Sequence, residues 1–468
     1  MLTRLKVKGF KSLEDVEVRF GPFTCIAGVN GVGKSNLFDA ILFLKDLADT
    51  SILDAATRIR NSGRQRVSLS SLFTRTSTGQ AEVMEFEADF LVGPSVVDDF
   101  GREAKPKVTF LQYMLRLKYV PSSPLKPEGI ELAYEALDFI QKGDAKRRLG
   151  FPVSQEFLDS VYVGASRIDF IYMDKADPSV AKIRQDGTGG GQPISIPIDK
   201  AERTILSNIN TIDRPTALAA RREMQSWINL QLESSSLRKP DDFLAVSRVS
   251  PTGEHLPATL DRLKKFDEIA SQLASLLPDV RSLTVDVDER RQLKTLYLET
   301  VGGIRHEARA LSDGTLRFLA LAIIGADAEA GGVICLEEPE NGIHPARIPA
   351  IVELLSDMAV DADFAVGPDN PLRQIIINTH SPLVIQKLQT DNIIVSQAYK
   401  RDSASLSLFC PILGTWRTKN GIGDSGDDTP VTFGALLDYL GPKDESETIV
   451  GKESVLQIFR HQLEIGVK

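Results

Sequence analysis

The chain has 468 residues, a formal net charge of −9 at pH 7, and 42% hydrophobic and 25% charged residues. This is an ordinary soluble profile with room for about three domains, and the net charge excludes a surface that is basic all over, so any nucleic-acid contact must be local. Its three cysteines form no C-x-x-C pair, no apolar run reaches the length of a membrane span, and the N-terminus lacks a signal-peptide core, so we expect a cytoplasmic protein without membrane contact.

A glycine-rich segment lies between two apolar runs near the N-terminus. The run 23–27 predicts a buried strand, residues 28–35 read Gly-Val-Asn-Gly-Val-Gly-Lys-Ser, and the run 37–42 predicts a helix. This order matches the phosphate-binding pattern G-x-x-x-x-G-K-[ST]. Glycines let backbone N–H groups turn toward an anion, Lys34 would reach the β- and γ-phosphates, and Ser35 would ligate Mg²⁺. The pattern favours a nucleoside triphosphate site over a glycine-rich turn without a ligand.

The region 121–275 reads as an insertion. It begins at a proline-rich break, helical periodicity covers 201–232, and apolar residues spaced by three and four predict one amphipathic helix over 260–277. No heptad pattern is sustained, so we expect a compact, mainly helical insertion and not a coiled-coil arm. Basic clusters at 142–148, 221–222, 262–265 and 290–291 are candidates for local DNA contact, although each alone is more typical of a solvated helix face or loop.

Alternating segments at 282–287 and 294–300 predict two antiparallel strands. Asp286 and Asp288 form a D-x-D pair, which could indicate a metal site. In an alternating strand beside further charged residues, the solvent face is the favoured interpretation.

Three later segments carry further candidate chemistry. Residues 311–315 precede an apolar helix pattern, so Ser312 and the Gly314 amide would lie at a helix N-terminus, which suits phosphate. An apolar strand pattern ends in two carboxylates, of which Glu337 suits Mg²⁺ and Glu338 suits orienting or deprotonating a water. Another apolar run, 374–378, leads to His380, which could hydrogen-bond a γ-phosphate. Taken singly, the two glutamates could be an ordinary charged strand end, and His380 could be an ordinary loop histidine. The order and spacing of the three segments favour the functional interpretation.

Together these segments make the chain similar to the ATP-binding-cassette (ABC) ATPases, specifically the soluble group of RecF, SMC and overcoming-lysogenization-defect (OLD) proteins. The resemblance rests on the Walker A loop at 28–35, the signature at 311–315, the Walker B strand at 333–338, the D-loop at 341–345 and the switch histidine His380. It implies an α/β fold: a P-loop NTPase ABC-type head with a mixed sheet flanked by helices and an antiparallel β subdomain.

The resemblance also assigns roles. It makes Glu338 and His380 catalytic and Ser35 and Glu337 ligands of Mg²⁺. The residues that it places at ATP are Lys11, Asn30, Gly31, Gly33, Lys34, Ser35, Asn36, Ser312 and Gly314.

The chain departs from the family pattern at two places. Glu337 replaces the usual Walker B aspartate, and the signature reads Ser-Asp-Gly where transporters have Ser-Gly-Gly, so Asp313 has no assigned contact. The Q-loop glutamine stays open between Gln65 and Gln80. His344 reads equally well as a D-loop interface residue and as a helix start before Pro345.

The predicted division is an N-terminal lobe of the head at 1–120, the insertion at 121–275, a C-terminal lobe at 276–400 and an extension at 401–468. The extension predicts helices at 433–440 and 452–465 and lacks the pattern of the TOPRIM nuclease domain that OLD nucleases carry, so we expect an ATPase without its own nuclease.

The resemblance implies a head-to-tail homodimer with ATP and Mg²⁺ between Lys34 of one subunit and Ser312 of the other. It does not exclude higher oligomers. By analogy the setting is anti-phage defence with a separate effector nuclease or toxin. The alternatives are a RecF-like DNA repair or replication factor that clamps DNA, and a degenerate ATP-binding scaffold.

Overall fold

The structure is a computed structural model, and it describes residues 1–59, 68–76, 79–124, 126–187, 190–401, 404–419, 430–440 and 450–451. The strands of this part are, in chain order, β1 (Leu2–Phe10), β2 (Leu13–Arg19), β3 (Phe23–Ala27), β4 (Arg75–Thr76), β5 (Gly79–Gln80), β6 (Val83–Leu91), β7 (Val96–Val97), β8 (Glu103–Ala104), β9 (Phe110–Val120), β10 (Gly129–Phe139), β11 (Ile171–Met173), β12 (Val180–Ile183), β13 (Ile194–Pro197), β14 (Ile228–Leu230), β15 (Asp241–Asp242), β16 (Val280–Asp288), β17 (Leu293–Thr300), β18 (Arg305–Glu307), β19 (Gly332–Glu337), β20 (Arg373–Thr379), β21 (Ile393–Arg401), β22 (Ala404–Pro411) and β23 (Val450–Gly451). The α-helices are α1 (Lys34–Leu47), α2 (Ile52–Arg58), α3 (Lys142–Leu149), α4 (Gln155–Val161), α5 (Pro215–Gln225), α6 (Ser234–Leu237), α7 (Leu256–Leu263), α8 (Phe266–Leu276), α9 (Asp313–Ala326), α10 (Ile348–Asp357), α11 (Pro382–Ile385), α12 (Trp416–Lys419) and α13 (Phe433–Leu440).

Two large sheets form the body of the molecule. An antiparallel sheet has the order β13-β12-β11-β10-β9-β6-β1-β2. The central sheet has the order β14-β19-β20-β3-β21-β22, in which the first five strands are parallel and β22 is antiparallel to β21. The predicted fold class, a mixed sheet flanked by helices with an antiparallel β subdomain, is confirmed.

The central sheet is buried on both faces, which explains the unbroken apolar runs of its strands. In β19, Val333 and Cys335 belong to the core that contains α1 and the antiparallel sheet, whereas Ile334 and Leu336 belong to the core that contains α9 and α10. Helix α1 therefore lies between the two sheets, where Phe43 stacks on Phe10 of β1 with ring centroids 5.7 Å apart.

A smaller antiparallel sheet, β15-β17-β16 with β18 on β17, precedes α9. The strand pair predicted at 282–287 and 294–300 is confirmed as β16 and β17. Asp286 is exposed, and a carboxylate oxygen of Asp288 accepts the amides of Arg290 and Arg291. Within the described residues there is no cluster of three or more metal-ligating side chains.

The prediction that residues 121–275 form an insertion separate from the head needs correction. Residues 121–275 contribute β10 to β13 to the antiparallel sheet and β14 to the central sheet, and β10 pairs with β9 along its length, so a boundary at 120/121 cuts a hairpin. The single helix expected over 260–277 is two helices, because Lys264 adopts a left-handed backbone with φ 55° and ends α7. Within 201–232 the α-helix begins only at Pro215, since the residue before a proline is disfavoured in a helix.

The extension is only partly separate from the head. β22 pairs with β21 of the central sheet, and the predicted helix 433–440 is present as α13. The predicted helix 452–465 lies outside the described residues. No helix in the described part combines the length and apolar character needed to cross a membrane.

Candidate nucleotide-binding and catalytic site

Three neighbouring strands of the central sheet end at the same edge. The parallel strands β19, β20 and β3 lie side by side, and their last residues are Glu337, Thr379 and Ala27. The Gly28 amide donates to the Thr379 carbonyl at 3.1 Å, which ties the loop after β3 to the end of β20. In open parallel sheets, ligands bind in the crevice beyond the carboxyl ends of the strands. The candidate site lies at this edge.

The segment after β3 is a tight turn into α1. Gly31 and Gly33 have φ of +82° and +93°, conformations that glycine adopts without steric cost. A Cβ at Gly33 would lie 1.8 Å from the Oγ of Ser407, which shows how closely β22 approaches the loop. Asn30 and Gly31 are exposed at the tip of the turn, so the tip is accessible to a ligand.

Lys34 is buried beneath this loop. Its ammonium donates to the carbonyls of Gly28 at 2.6 Å and Val29 at 2.8 Å. Burial lowers the pKa of Lys34, against the carboxylates of Glu338, Glu340 and Glu337, which act to raise it. A buried cation held by two neutral carbonyls of its own loop is suited to exchange them for a phosphate, because an anionic acceptor adds the attraction between opposite charges to the hydrogen bond.

The side-chain oxygens of Ser35 and Glu337 are hydrogen-bonded to each other. The Ser35 hydroxyl donates to a Glu337 carboxylate oxygen at 2.8 Å, which joins the first turn of α1 to the end of β19. Hydroxyl and carboxylate oxygens are the ligands that Mg²⁺ prefers, together with substrate phosphates and waters. The two side chains therefore fit the metal role that the sequence predicts for them.

Glu338 and His380 are in direct contact. A Glu338 carboxylate oxygen lies 2.8 Å from His380 Nδ1, and the other accepts the Asn341 side-chain amide at 2.7 Å. The Glu338 amide donates to the backbone carbonyl and the side-chain oxygen of Asn378, and the residue has a positive φ of 45°. Burial acts to raise the pKa of Glu338, but the hydrogen bonds from Asn341 and His380 outweigh it and leave that pKa below its ordinary value. Glu338 is therefore a charged carboxylate, as a base requires.

Two residues that the sequence analysis did not single out support this pair. Thr379 donates its hydroxyl to the buried carboxylate of Glu340 and accepts the Ser381 amide at 2.9 Å. The contacts lie on both sides of His380 in the chain and hold its turn. Burial raises the pKa of Glu340. The only local signal for Glu340 was its place two residues after Glu338.

Lys11 and Asn36 lie at the base of α1. Lys11 forms an ion pair with Asp39 at 2.8 Å, and the Asn36 amide donates to the Ser12 hydroxyl at 2.6 Å. Ser12 is in turn 2.6 Å from the hydroxyl of Ser407. These contacts support the loop from within the chain; nucleotide contact by Lys11 and Asn36 stays a prediction.

The signature segment lies at the N-terminus of α9, where Ser312 is exposed. Ser312 caps α9 and accepts the Thr315 amide at 3.2 Å, and Gly314 lies beside the D-loop, where a Cβ would be 3.7 Å from the Gly342 carbonyl. Within the described ranges, no hydrogen bond joins Ser312 or Gly314 to residues 28–36. His344 is exposed and accepts the Ala346 amide at its own helix start, Gln80 lies on β5, and Gln65 is outside the described residues.

Comparison with known families agrees with this geometry. The family described as "AAA domain, putative AbiEii toxin, Type IV TA system" matches residues 136–386, more than half of the chain. The chain belongs to this AAA-domain family. A second AAA-domain description matches residues 4–77, which include the loop of Lys34. Both descriptions are of AAA domains, and together they cover the loop of Lys34, Glu338 and His380.

Individual relatives are more distant. An OLD nuclease of Thermus scotoductus is 51% identical over 41 residues, a stretch that spans 9% of this AAA-domain chain and only 8% of the nuclease. Among solved structures, an SMC head bound to the C-winged helix domain of ScpA has a TM-score of 0.46 at 16% identity, over 87% of this chain and 97% of the other. The SMC head domain of Thermotoga maritima has a TM-score of 0.39 at 14% identity, over 88% and 98%.

Proposed function

We propose that the chain binds and hydrolyses ATP and acts as a nucleotide-dependent dimeric switch in the cytoplasm. The observation that carries the proposal is the charged Glu338 carboxylate, which follows β19 and lies 2.8 Å from His380. His380 follows β20, the strand next to β3, and the loop after β3 contains Lys34. A base, a polar partner and a buried phosphate-binding cation at one sheet edge are what hydrolysis of a phosphoanhydride needs.

Each residue has a role in this scheme. Lys34 and the loop amides bind the phosphates, while Ser35 and Glu337 hold Mg²⁺. The ion, when bound, neutralises charge on the β- and γ-phosphates. Glu338 accepts a proton from a water whose oxygen bonds to the γ-phosphorus, and the bond from that phosphorus to the β–γ bridging oxygen breaks to give ADP and phosphate. His380 orients the Glu338 carboxylate through Nδ1, and its contact with the γ-phosphate stays a prediction.

Ser312 is exposed at the N-terminus of α9, which supports a composite site. In the proposed head-to-tail homodimer, the α9 N-terminus of one subunit contacts the ATP held by Lys34 of the other. ATP favours the closed dimer because the γ-phosphate contacts both halves, and hydrolysis removes that differential affinity.

We place this switch in prokaryotic anti-phage defence, as the regulatory ATPase of a separate nuclease or toxin. The family description names a toxin of a type IV toxin–antitoxin system, and one relative is named an OLD nuclease. A neighbouring gene for a nuclease or toxin, needed together with this one for protection against phage, is the expected finding. Full protection by the ATPase gene alone would contradict the division of labour.

The basic clusters do not favour DNA clamping. Most of their cations are already paired with carboxylates of the same chain, and Arg221 donates to two backbone carbonyls. The pairs are Lys142–Asp159, Arg147–Asp144, Arg148–Asp89, Arg222–Asp99, Arg262–Asp327, Lys264–Asp261, Lys265–Glu268 and Arg291–Asp288. The most exposed of these cations, Lys142, Arg147, Lys264 and Arg291, form only weak surface pairs, so DNA clamping stays the alternative function.

The ATPase assignment is tested with Glu338→Gln. Glutamine keeps the size and one acceptor oxygen for Asn341 or His380 but removes the base. Hydrolysis should therefore fall by roughly a hundredfold or more while ATP affinity stays near normal and the dimer lives longer. The matched control is Glu353→Gln, at an exposed position of α10, which should hydrolyse ATP normally. Turnover of Glu338→Gln near that of the parent chain would remove Glu338 from the mechanism.

A further inference from the structure

One arginine contacts the signature segment on both sides of Ser312. Arg238, which follows α6, donates to the Leu311 carbonyl at 3.0 Å and to the Asp313 carboxylate. Its other terminal nitrogen donates to the Ser234 carbonyl at 3.0 Å, which anchors the guanidinium to its own helix. The planar fork of an arginine can make such divided contacts, whereas a lysine ammonium is a point charge.

The partner of Arg238 is the residue at which this chain departs from the transporter signature. Asp313 is about half exposed and lies in the first turn of α9, next to the serine that the proposed dimer directs at a triphosphate. Its hydrogen bond to Arg238 lowers the pKa of the carboxyl, so it is ionised. An ionised carboxylate facing a γ-phosphate would repel it unless a cation neutralised the charge.

We propose that Arg238 is a positioning residue of the composite ATP site: it neutralises Asp313 and fixes Ser312 for contact with the nucleotide of the partner subunit. The inference rests on the proposed dimeric function and deepens it. An exposed ion pair that served only stability would contribute little, and it would not need the second bond to the backbone before Ser312. Arg238 thereby connects the segment 121–275 to the signature.

Dimerisation measured in the Glu338→Gln background separates this role from folding. Adding Arg238→Ala should weaken ATP-driven dimerisation, followed by sedimentation velocity, about tenfold or more, while calorimetry at concentrations below dimerisation shows unchanged ATP affinity. Adding Asp313→Ala to Arg238→Ala should recover at least part of the loss, because the unneutralised carboxylate is then absent. The dimerisation affinity of Arg238→Lys should lie between those of the parent and Arg238→Ala, since lysine restores the charge but cannot contact Leu311, Asp313 and Ser234 at once.

The control is Arg309→Ala, which removes a more exposed cation three residues before Ser312 that pairs with Glu307. An equal effect of Arg309→Ala, or no recovery in the double variant, would overturn the inference. If Glu338→Gln dimerises with ATP and Arg238→Ala changes nothing, the inference fails and the dimeric switch stands. If Glu338→Gln does not dimerise with ATP, both fail.

Discussion

Alanine substitutions at Gly31 and Gly33 distinguish two reasons for glycine in the loop, namely backbone conformation and the lack of space for a side chain. Both positions have a left-handed backbone, which costs alanine about 1–2 kcal/mol, partly offset by the roughly 0.4–1 kcal/mol that alanine gains by restricting the unfolded chain. A Cβ at Gly31 meets no atom within 4 Å, whereas at Gly33 it would lie 1.8 Å from Ser407 Oγ and 2.8 Å from Ser12 Oγ. Gly31→Ala should therefore lower the free energy of unfolding by about 1 kcal/mol, and Gly33→Ala by about 1–3 kcal/mol more.

Urea unfolding midpoints, taken without nucleotide, compare the stabilities of the two variants. Titration calorimetry with ATP compares their nucleotide affinities. Gly33→Ala should lose far more ATP affinity, because the loop must move away from β22 to accept the methyl group. Ser407→Gly removes both the Oγ and the Cβ of Ser407, the latter 3.0 Å from the new methyl, so Gly33→Ala/Ser407→Gly should recover part of the loss relative to Ser407→Gly alone. Equal losses at Gly31 and Gly33, or no recovery, would refute the close approach of β22.

Three further changes test other parts of the structure. Lys34→Ala removes the main positive charge that contacts the phosphates, so ATP affinity itself should fall. ATP should then no longer shift the protein to a larger species in sizing experiments. Unchanged affinity by calorimetry would mean that ATP binds elsewhere. Ser312→Arg should leave ATP binding to the monomer intact yet block closure of the dimer and hydrolysis. Mixing this variant with Lys34→Ala should restore part of the ATPase activity, because one site of the heterodimer carries neither change. Normal hydrolysis by Ser312→Arg alone would contradict the head-to-tail dimer. Glu135 of β10 is fully buried, and burial raises its pKa to about 7, so the folded chain retains a proton that the unfolded chain releases near pH 4.5, and the free energy of unfolding should decrease as pH rises between these values. Glu135→Gln should flatten that slope in urea midpoints taken between pH 5 and 7.5; an unaltered slope would assign it to other groups.

The central sheet could be predicted because its signals are local. Each apolar run is long enough to mark a strand buried on both faces, and the run 23–27 coincides with β3. The resemblance to ABC ATPases placed the segments after β3, β19 and β20 at one nucleotide, and the structure brings these three strand ends to one edge of the sheet. The contact between Glu338 and His380 agrees with that reasoning.

The remaining elements depend on distant parts of the chain. β14 has three residues and is a strand only because it pairs with β19, more than a hundred residues later. Ser407 reaches the loop from the segment predicted as a separate extension, and Arg238 reaches Asp313 from the predicted insertion. No pattern within a short window of sequence encodes such contacts, and the domain boundaries proposed from composition divide residues that the fold brings together.

The backbone at Glu338 has a consequence for engineering this protein. Its φ of 45° is one that a non-glycine residue adopts at a cost of about 1–2 kcal/mol, and glycine would adopt it freely. Glycine at 338 would remove this strain but lose the contacts to Asn341 and His380, so selection for thermal stability alone does not protect the proposed base. Stabilised versions of the chain have to keep this residue fixed and seek their gains elsewhere.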